Sequence, residues 1–429
     1  MTGGNLMQFR GKGLRRHTLV VAVVALVSGV LVAGQSGAGA TGTVRGFDGT
    51  TIKVGTLGFK AQLATSQIGA EARIQRFNDD NEIKGVTIQY VGFEDDAADP
   101  STALNAARKL VTQDQVFAIV GDTSRTNPRE YWEANQVPVF GWGFDVAYCS
   151  TPQTTKGWLF GYAGCQVNPE PSKVVDFGGQ IYKYVTGQTG SKKPTVAMIA
   201  VDNTTGKATI NQNKIAYAGA GFDVVFAESN VPATPVGDYS PYAQQLMTAN
   251  NGTAPDVIRC LMTVECLTIY NLVKAQGFTG DFNHSLFTDV LVKPLAGTTA
   301  IQAMANISST GIPALDRMRA DIEKFKPGTK VDQTIVSGYA STDMFIKALK
   351  TAAKNGKSGI TPQNVRKAAS VQRWEMKNFI GPVIYPLASN RQQPYCTSMA
   401  ESNGTEWVTI EEYSCSNRTF NPKTGKVNK

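Results

Sequence analysis

Histidine is nearly absent from this chain: 429 residues contain two, His17 and His284. So few imidazoles argue against Ser–His nucleophile pairs and against His-ligated metal centres. No hydrophobic run is long enough to cross a bilayer as a helix, which takes ~20 residues; the longest, Leu19 to Ala33, has 15. No cysteine pair has the C-x-x-C spacing of zinc or redox sites. No phosphate-binding glycine motif is present either. Gly187 to Lys193 is rich in glycine and lysine without being a P-loop, and Gly219-Ala220-Gly221 precedes a strand where a dinucleotide fingerprint would follow one. That glycine cluster reads as a helix C-cap and turn. Charged residues make up only 18% of the chain.

The N-terminus explains half of the formal charge of +8. Arg10, Lys12, Arg15 and Arg16 precede the apolar run, and Ala38-Gly39-Ala40 follows it. This is the pattern of a secretory signal peptide cut after Ala40, with an uncleaved membrane anchor as the alternative. The first 40 residues hold those four cations and no acid, so the remainder carries +4. No basic stripe for nucleic acid remains, only the lysines of the tail, Lys423, Lys426 and Lys429. Gln35 stands where a lipoprotein would place its cysteine, so no lipid anchor is expected.

Export would set the state of the six cysteines. In sequence order they fall into three local couples, Cys149–Cys165, Cys260–Cys266 and Cys396–Cys415, which are expected to be disulfides; free buried thiols are the alternative.

Strand and helix patterns alternate. Ile52 to Leu57, Val86 to Val91, Val116 to Val120 and Val137 to Phe140 read as strands, with helices at Ser66–Asn78, after Asp99-Pro100 and after Asn127-Pro128. The pattern recurs with strands at Thr195–Val201, Phe222–Ala227 and Asp256–Leu261. Such βαβ order predicts an α/β fold with parallel sheets covered on both faces. Ligands in these sheets bind beyond the carboxyl ends of the strands. Loops at those ends come from both repeats, which suggests a cleft between two lobes. The paired acids Asp79-Asp80 and Asp95-Asp96 read as loop and cap residues rather than acid/base pairs.

The order of these features resembles type I periplasmic solute-binding proteins of ABC importers, closest to the leucine/isoleucine/valine-binding group. The resemblance runs through Ile52–Leu57, Gly69, Asn78, Ile83-Lys84-Gly85, Asp95-Asp96, Asp99-Pro100, Asp238-Tyr239-Ser240-Pro241, Gly338-Tyr339-Ala340, Thr361-Pro362 and Gly381-Pro382. It implies two Rossmann-like lobes joined by three hinge crossovers, near Tyr162–Gln166, Val290–Gly297 and Gln372–Pro382. Lobe I would be 51–163 plus 291–372 and lobe II 164–290 plus 373–415, with a flexible basic tail at 416–429. It also implies an extracytoplasmic, non-enzymatic protein without cofactor or metal; its oligomeric state is open, with a monomer as the default expectation. Such a protein delivers a small ligand to membrane permease subunits. An extracellular sensor of the same fold is the alternative.

Site residues carried over from the family are Ser124 and Arg125 after the third strand, Trp142, Gly143 and Phe144 after the fourth, and Phe59 after the first. Tyr162 lies at the first crossing, and Asn203 (with Thr204), Thr263 and Asp289 at ends of second-lobe strands. Ser124 would offer a hydroxyl to a carboxylate, or serve as a turn serine. Trp142 would be a ligand-stacking wall, or lobe core. Asp289 would meet an α-ammonium, or be a solvated loop acid. Phe59, Trp142, Phe144, Tyr148 and Tyr162 together imply a more aromatic cleft than a branched-chain amino acid requires. The expected ligand is therefore an amino acid or a related amphipathic or aromatic carboxylate or amide.

Overall fold

A computed structural model describes residues 44–149, 157–176, 178–234, 236–385 and 396–428. The expected signal peptide lies outside them. The first repeat runs β1 (Thr51–Gly58), α1 (Lys60–Leu63), α2 (Ser66–Asp79), β2 (Thr87–Asp95), α3 (Pro100–Thr112), β3 (Ala118–Asp122), α4 (Arg129–Ala134), β4 (Val139–Gly141) and β5 (Leu159–Gly161). Its strands form a parallel five-stranded sheet in the order β2-β1-β3-β4-β5. β3 is buried along its whole length, its apolar Ala118-Ile119-Val120 and the terminal Asp122 alike.

The second repeat runs β6 (Val174–Val175), α5 (Gly179–Thr189), β7 (Thr195–Val201), α6 (Thr204–Ala220), β8 (Asp223–Val231), α7 (Ser240–Met247), β9 (Val257–Leu261), α8 (Glu265–Ala275), β10 (Asp281–His284) and β11 (Thr299–Gln302). After these come α9 (Pro313–Phe325), α10 (Gln333–Ala352), α11 (Pro362–Ala369), the hairpin β12 (Arg373–Met376) and β13 (Ile380–Ile384), then β14 (Cys396–Ser402), β15 (Trp407–Cys415) and β16 (Thr419–Phe420). The second sheet has the order β15-β14-β11-β10-β9-β7-β8; β14 and β15 join antiparallel to an otherwise parallel set.

The chain therefore passes between the sheets later than expected. β11 still belongs to the second sheet, so the second passage follows Gln302 rather than lying at 290–297. The third follows Tyr385 rather than lying at 372–382. Tyr385 still exchanges hydrogen bonds with the Gly161 N–H (2.9 Å) and C=O (3.0 Å) of β5, and Trp374 Nε1 donates to Asp343 of α10 at 3.0 Å. The tail is not free. β16 pairs antiparallel with β6, and Phe420 is fully buried against Gly219.

Helix caps largely follow the sequence. Asp99 accepts from the Thr102 N–H at 2.8 Å and Thr361 from the Asn364 N–H at 3.2 Å, each with proline at the first helical position. Asn127 departs from the pattern. It makes no cap; its amide donates to Asp122 at 2.7 Å and accepts from Trp132 Nε1 at 2.9 Å. All three expected disulfides form, with no free cysteine among the described residues. Cys149–Cys165 ties the loop after β4 to the segment after β5, and Cys260–Cys266 ties β9 to α8.

Candidate ligand-binding site

Parallel strands gather their following loops on one edge of each sheet. Loops after β1, β3 and β4 contribute Leu63, Thr123 and Trp142 to a cavity of about 150 Å³. The second sheet answers with Leu261, Met262 and Thr263 after β9, Ser285 after β10 and Gln302 at the end of β11. The first turn of α10 completes the wall with Gln333 and Ser337. Its start is fixed by Asp332, which accepts from the Ile335 N–H at 2.7 Å. A smaller cavity of about 60 Å³ adjoins it, sharing Trp142, Phe144 and Thr263 and adding Arg125, Asn203 and Glu265.

Most of the carried-over residues meet here. Trp142, Phe144, Tyr162 and Thr263 line the larger cavity. Trp142 and Phe144 pack edge to face, 5.7 Å between centroids. The Tyr162 hydroxyl lies 2.9 Å from the Ser337 hydroxyl. Asn203 caps α6, accepting from the Gly206 N–H at 2.7 Å, and the helix therefore starts at Thr204. Gly143 has φ +85°, and a Cβ there would lie 2.2 Å from the Gly164 carbonyl oxygen. Glycine thus lets the β4 loop lie against the β5 turn and turns its two aromatic neighbours to the cavity.

Three residues sit elsewhere. Ser124 is fully buried and donates to Asp96 at 2.7 Å, as does the Arg125 N–H; of that loop's residues it is Thr123 that borders the larger cavity. Phe59 lies beneath the Arg125 guanidinium, 4.6 Å from it, outside both cavities. Tyr148 is buried and donates to Asp122. Asp289 begins a short helical turn, Asp289–Leu291, and its side chain lies outside the described residues. Asp95 and Asp96 serve as loop acceptors; Asp95 takes the Lys60 and Ala97 N–H groups at 3.0 and 2.9 Å.

Arg125 joins the two sheets. Its guanidinium donates to Gln62 at 2.6 Å on the first sheet's side and to Thr263 on the second's, and lies 3.6 Å from Glu265. The Thr263 hydroxyl is 2.5 Å from Gln62 and 2.9 Å from Glu265. Burial pushes the Glu265 carboxyl up, but the Arg125 charge and hydrogen bonds outweigh it and hold the group below its usual range. Thr263 is thus a residue of this clasp as well as of both cavities.

Sequence reasoning missed Arg259, Gln302 and Gln333. The two glutamines bond to each other, Gln302 Nε2 to Gln333 Oε1 at 2.8 Å and Gln333 Nε2 to Gln302 Oε1 at 3.1 Å, across the cavity floor. Arg259 carried a signal, a lone cation inside the strand run Val257-Ile258-Arg259-Cys260-Leu261. Several buried polar atoms here have no partner, including Trp142 Nε1 and Thr123 Oγ1. Two sheets thus enclose an apolar, aromatic-sided space with a few unspent donors, the composition of a small-molecule site.

A family model described as periplasmic binding protein matches residues 52–406. The chain belongs to the periplasmic binding protein family. Its members bind ligands outside the cytoplasm and are not enzymes. Among the described residues no helix is long and apolar enough to cross a membrane. The fold is similar to that of the fatty acid ABC transporter substrate-binding protein from Thermomonospora curvata (TM-score 0.67, 17% identity, covering 90% of this chain and 97% of that one). It is also similar to an R. palustris ABC transporter solute-binding protein solved with 4-hydroxybenzoate (0.63, 19%, 85% and 97%). A third similar structure is a Streptococcus pneumoniae branched-chain amino acid transporter substrate-binding protein solved with isoleucine (0.57, 16%, 84% and 99%). A search of curated protein sequences finds no match.

Proposed function

We propose that the protein captures a small amphipathic ligand between two lobes and delivers it to the permease of an ABC importer. The ligand is an amino acid, or a related aromatic carboxylate or amide. The observation that carries this reading is the cavity itself. Its walls come from strand-end loops of both sheets, it is apolar with aromatic sides, and its unspent polar atoms include two donors, Trp142 Nε1 and Arg259 Nε, and one acceptor, Gln212 Oε1. The lobes are the units built on the two sheets, and their hinge is the set of three passages between them. Similar structures solved with isoleucine and with 4-hydroxybenzoate agree in ligand size.

Binding to the folded state alone stabilises it by about 2.7 kcal/mol at a ligand concentration a hundredfold above Kd. A thermal-shift screen of amino acids, aromatic acids, fatty acids and amides against the purified protein therefore tests the reading. At least one class is expected to raise the melting temperature at sub-millimolar concentration. Failure of all four classes, with native mass spectra free of bound solute, contradicts it.

A further inference from the structure

Arg259 sits in the middle of β9, a strand buried at all five positions. It is 6% exposed and lines the larger cavity beside Ser285. Its Nη1 donates to Asn283 Oδ1 at 2.7 Å and its Nη2 to Ser285 Oγ at 2.8 Å; its Nε has no acceptor. A guanidinium has five N–H donors and stays charged in proteins. Two of the five are therefore spent, both on neutral oxygens. Among the described residues no acidic side chain forms an ion pair with it. The acid that acts on it, Asp281, accepts from Thr299 at 2.9 Å, and burial pushes its carboxyl up to about 7.

A buried cation without a counter-charge is costly, and the cost is relieved when an anion arrives. The cavity supplies the place for one. A second donor without an acceptor, Trp142 Nε1, belongs to its opposite wall. Among the described side chains no Asp or Glu lines this cavity, so an α-ammonium group there would find no carboxylate partner among them. The acid of the adjoining cavity, Glu265, is already taken by Arg125 and Thr263. A cavity of about 150 Å³ lined by Leu261, Met262, Met304 and Trp142 suits a body near the size of one benzene ring.

We propose that Arg259 is the anion anchor of this site, and that the site selects small monocarboxylates with a compact apolar body and no ammonium group. This rests on the ligand-binding reading above and narrows it: the carboxylate is held from the second sheet, and amino acids and neutral amides are discriminated against.

Calorimetric titration of the purified protein with benzoate, benzamide and phenylalanine tests it. Benzoate should bind about thirtyfold or more tightly than benzamide and phenylalanine, in line with a charge-assisted bond to a buried guanidinium. Arg259→Gln should lower benzoate affinity by a similar factor, leave benzamide within about threefold, and melt no lower than the parent without ligand, since it removes an uncompensated charge. Arg259→Lys should recover part of the loss. The comparison of the three probes on the unaltered protein needs no variant, so poor folding of Arg259→Gln would not shield the proposal. Equal or tighter binding of phenylalanine or benzamide, or undiminished benzoate affinity in a folded Arg259→Gln, overturns it while leaving the ligand-binding reading intact. If none of the three binds but another solute from the thermal-shift screen does, the anchor is wrong and the binding function stands. If nothing binds at all, both fall.

Discussion

His284 is a structural imidazole. The Leu286 N–H donates to its Nδ1 at 3.1 Å, so Nε2 carries the proton and donates to Thr298 Oγ1 at 2.8 Å. Burial, with the Arg259 charge as a smaller cause, pushes its pKa down to about 3. The unfolded chain takes up a proton below about 6.5 and the folded one does not, so this group's contribution is fully present above 6.5 and drains away as pH falls toward 3. The slope is up to about 1.4 kcal/mol per pH unit. Urea unfolding across that window should show a shallower loss in His284→Gln than in the parent; equal slopes would contradict the buried neutral ring. Trp142 makes the complementary case for a binding side chain, since it borders both cavities and its indole N–H is unspent. Trp142→Ala should weaken the bound solute at least tenfold, about 1.4 kcal/mol, without lowering the unliganded melting temperature by more than a few degrees. Unchanged affinity would remove it from the site. Ser124 shows where residue-level reasoning stops: its type fits a carboxylate contact, but its hydroxyl is committed to Asp96, and only the backbone decides that Thr123 rather than Ser124 borders the cavity.

Between elements, the crossing of α2 and α10 is the tightest contact that supports the site. A Cβ at Gly69 would lie 1.9 Å from the Ile335 carbonyl oxygen, and one at Gly338 would lie 1.8 Å from that of Ser66. The two glycines face each other's helix backbone, and that approach sets where the first turn of α10 meets the cavity. Gly69→Ala should force the helices apart and cost about 1–3 kcal/mol in chemical denaturation, as overpacking does. A change under 0.5 kcal/mol would show that the crossing has room. Elements with long apolar runs or proline-marked starts were legible from sequence, β1, β3, α3 and α11 among them, because burial on both faces and capping leave local signatures. Elements held by distant partners were not. β16 is two residues long and exists because β6 is there to pair with it; β11, Thr-Ala-Ile-Gln, has too little pattern to mark it as a sheet member. The charged Arg259 inside an apolar strand read only as part of the strand, since its partners, Asn283 and Ser285, come from the neighbouring β10 and its loop.

For the whole molecule, the account is that of a clamp. Gln62 and Arg125 on one sheet hold Thr263 and Glu265 on the other, and the cavity lies beside this clasp. A ligand that touches both walls favours the closed arrangement by its difference in affinity for the two forms. The two-lobed plan and the strand-end location of the cavity were readable from the βαβ repeat and the family resemblance. The positions of two hinge passages were not, because each depends on which sheet a short strand joins. The most direct test of the clamp is a distance measurement between spin labels on exposed positions of α3 and α6, Arg108→Cys and Lys214→Cys, by pulsed electron resonance with and without saturating solute. The account predicts a distribution that shifts to shorter distance and narrows when solute is bound. An identical distribution in both states, with binding confirmed on the same labelled sample, would contradict it.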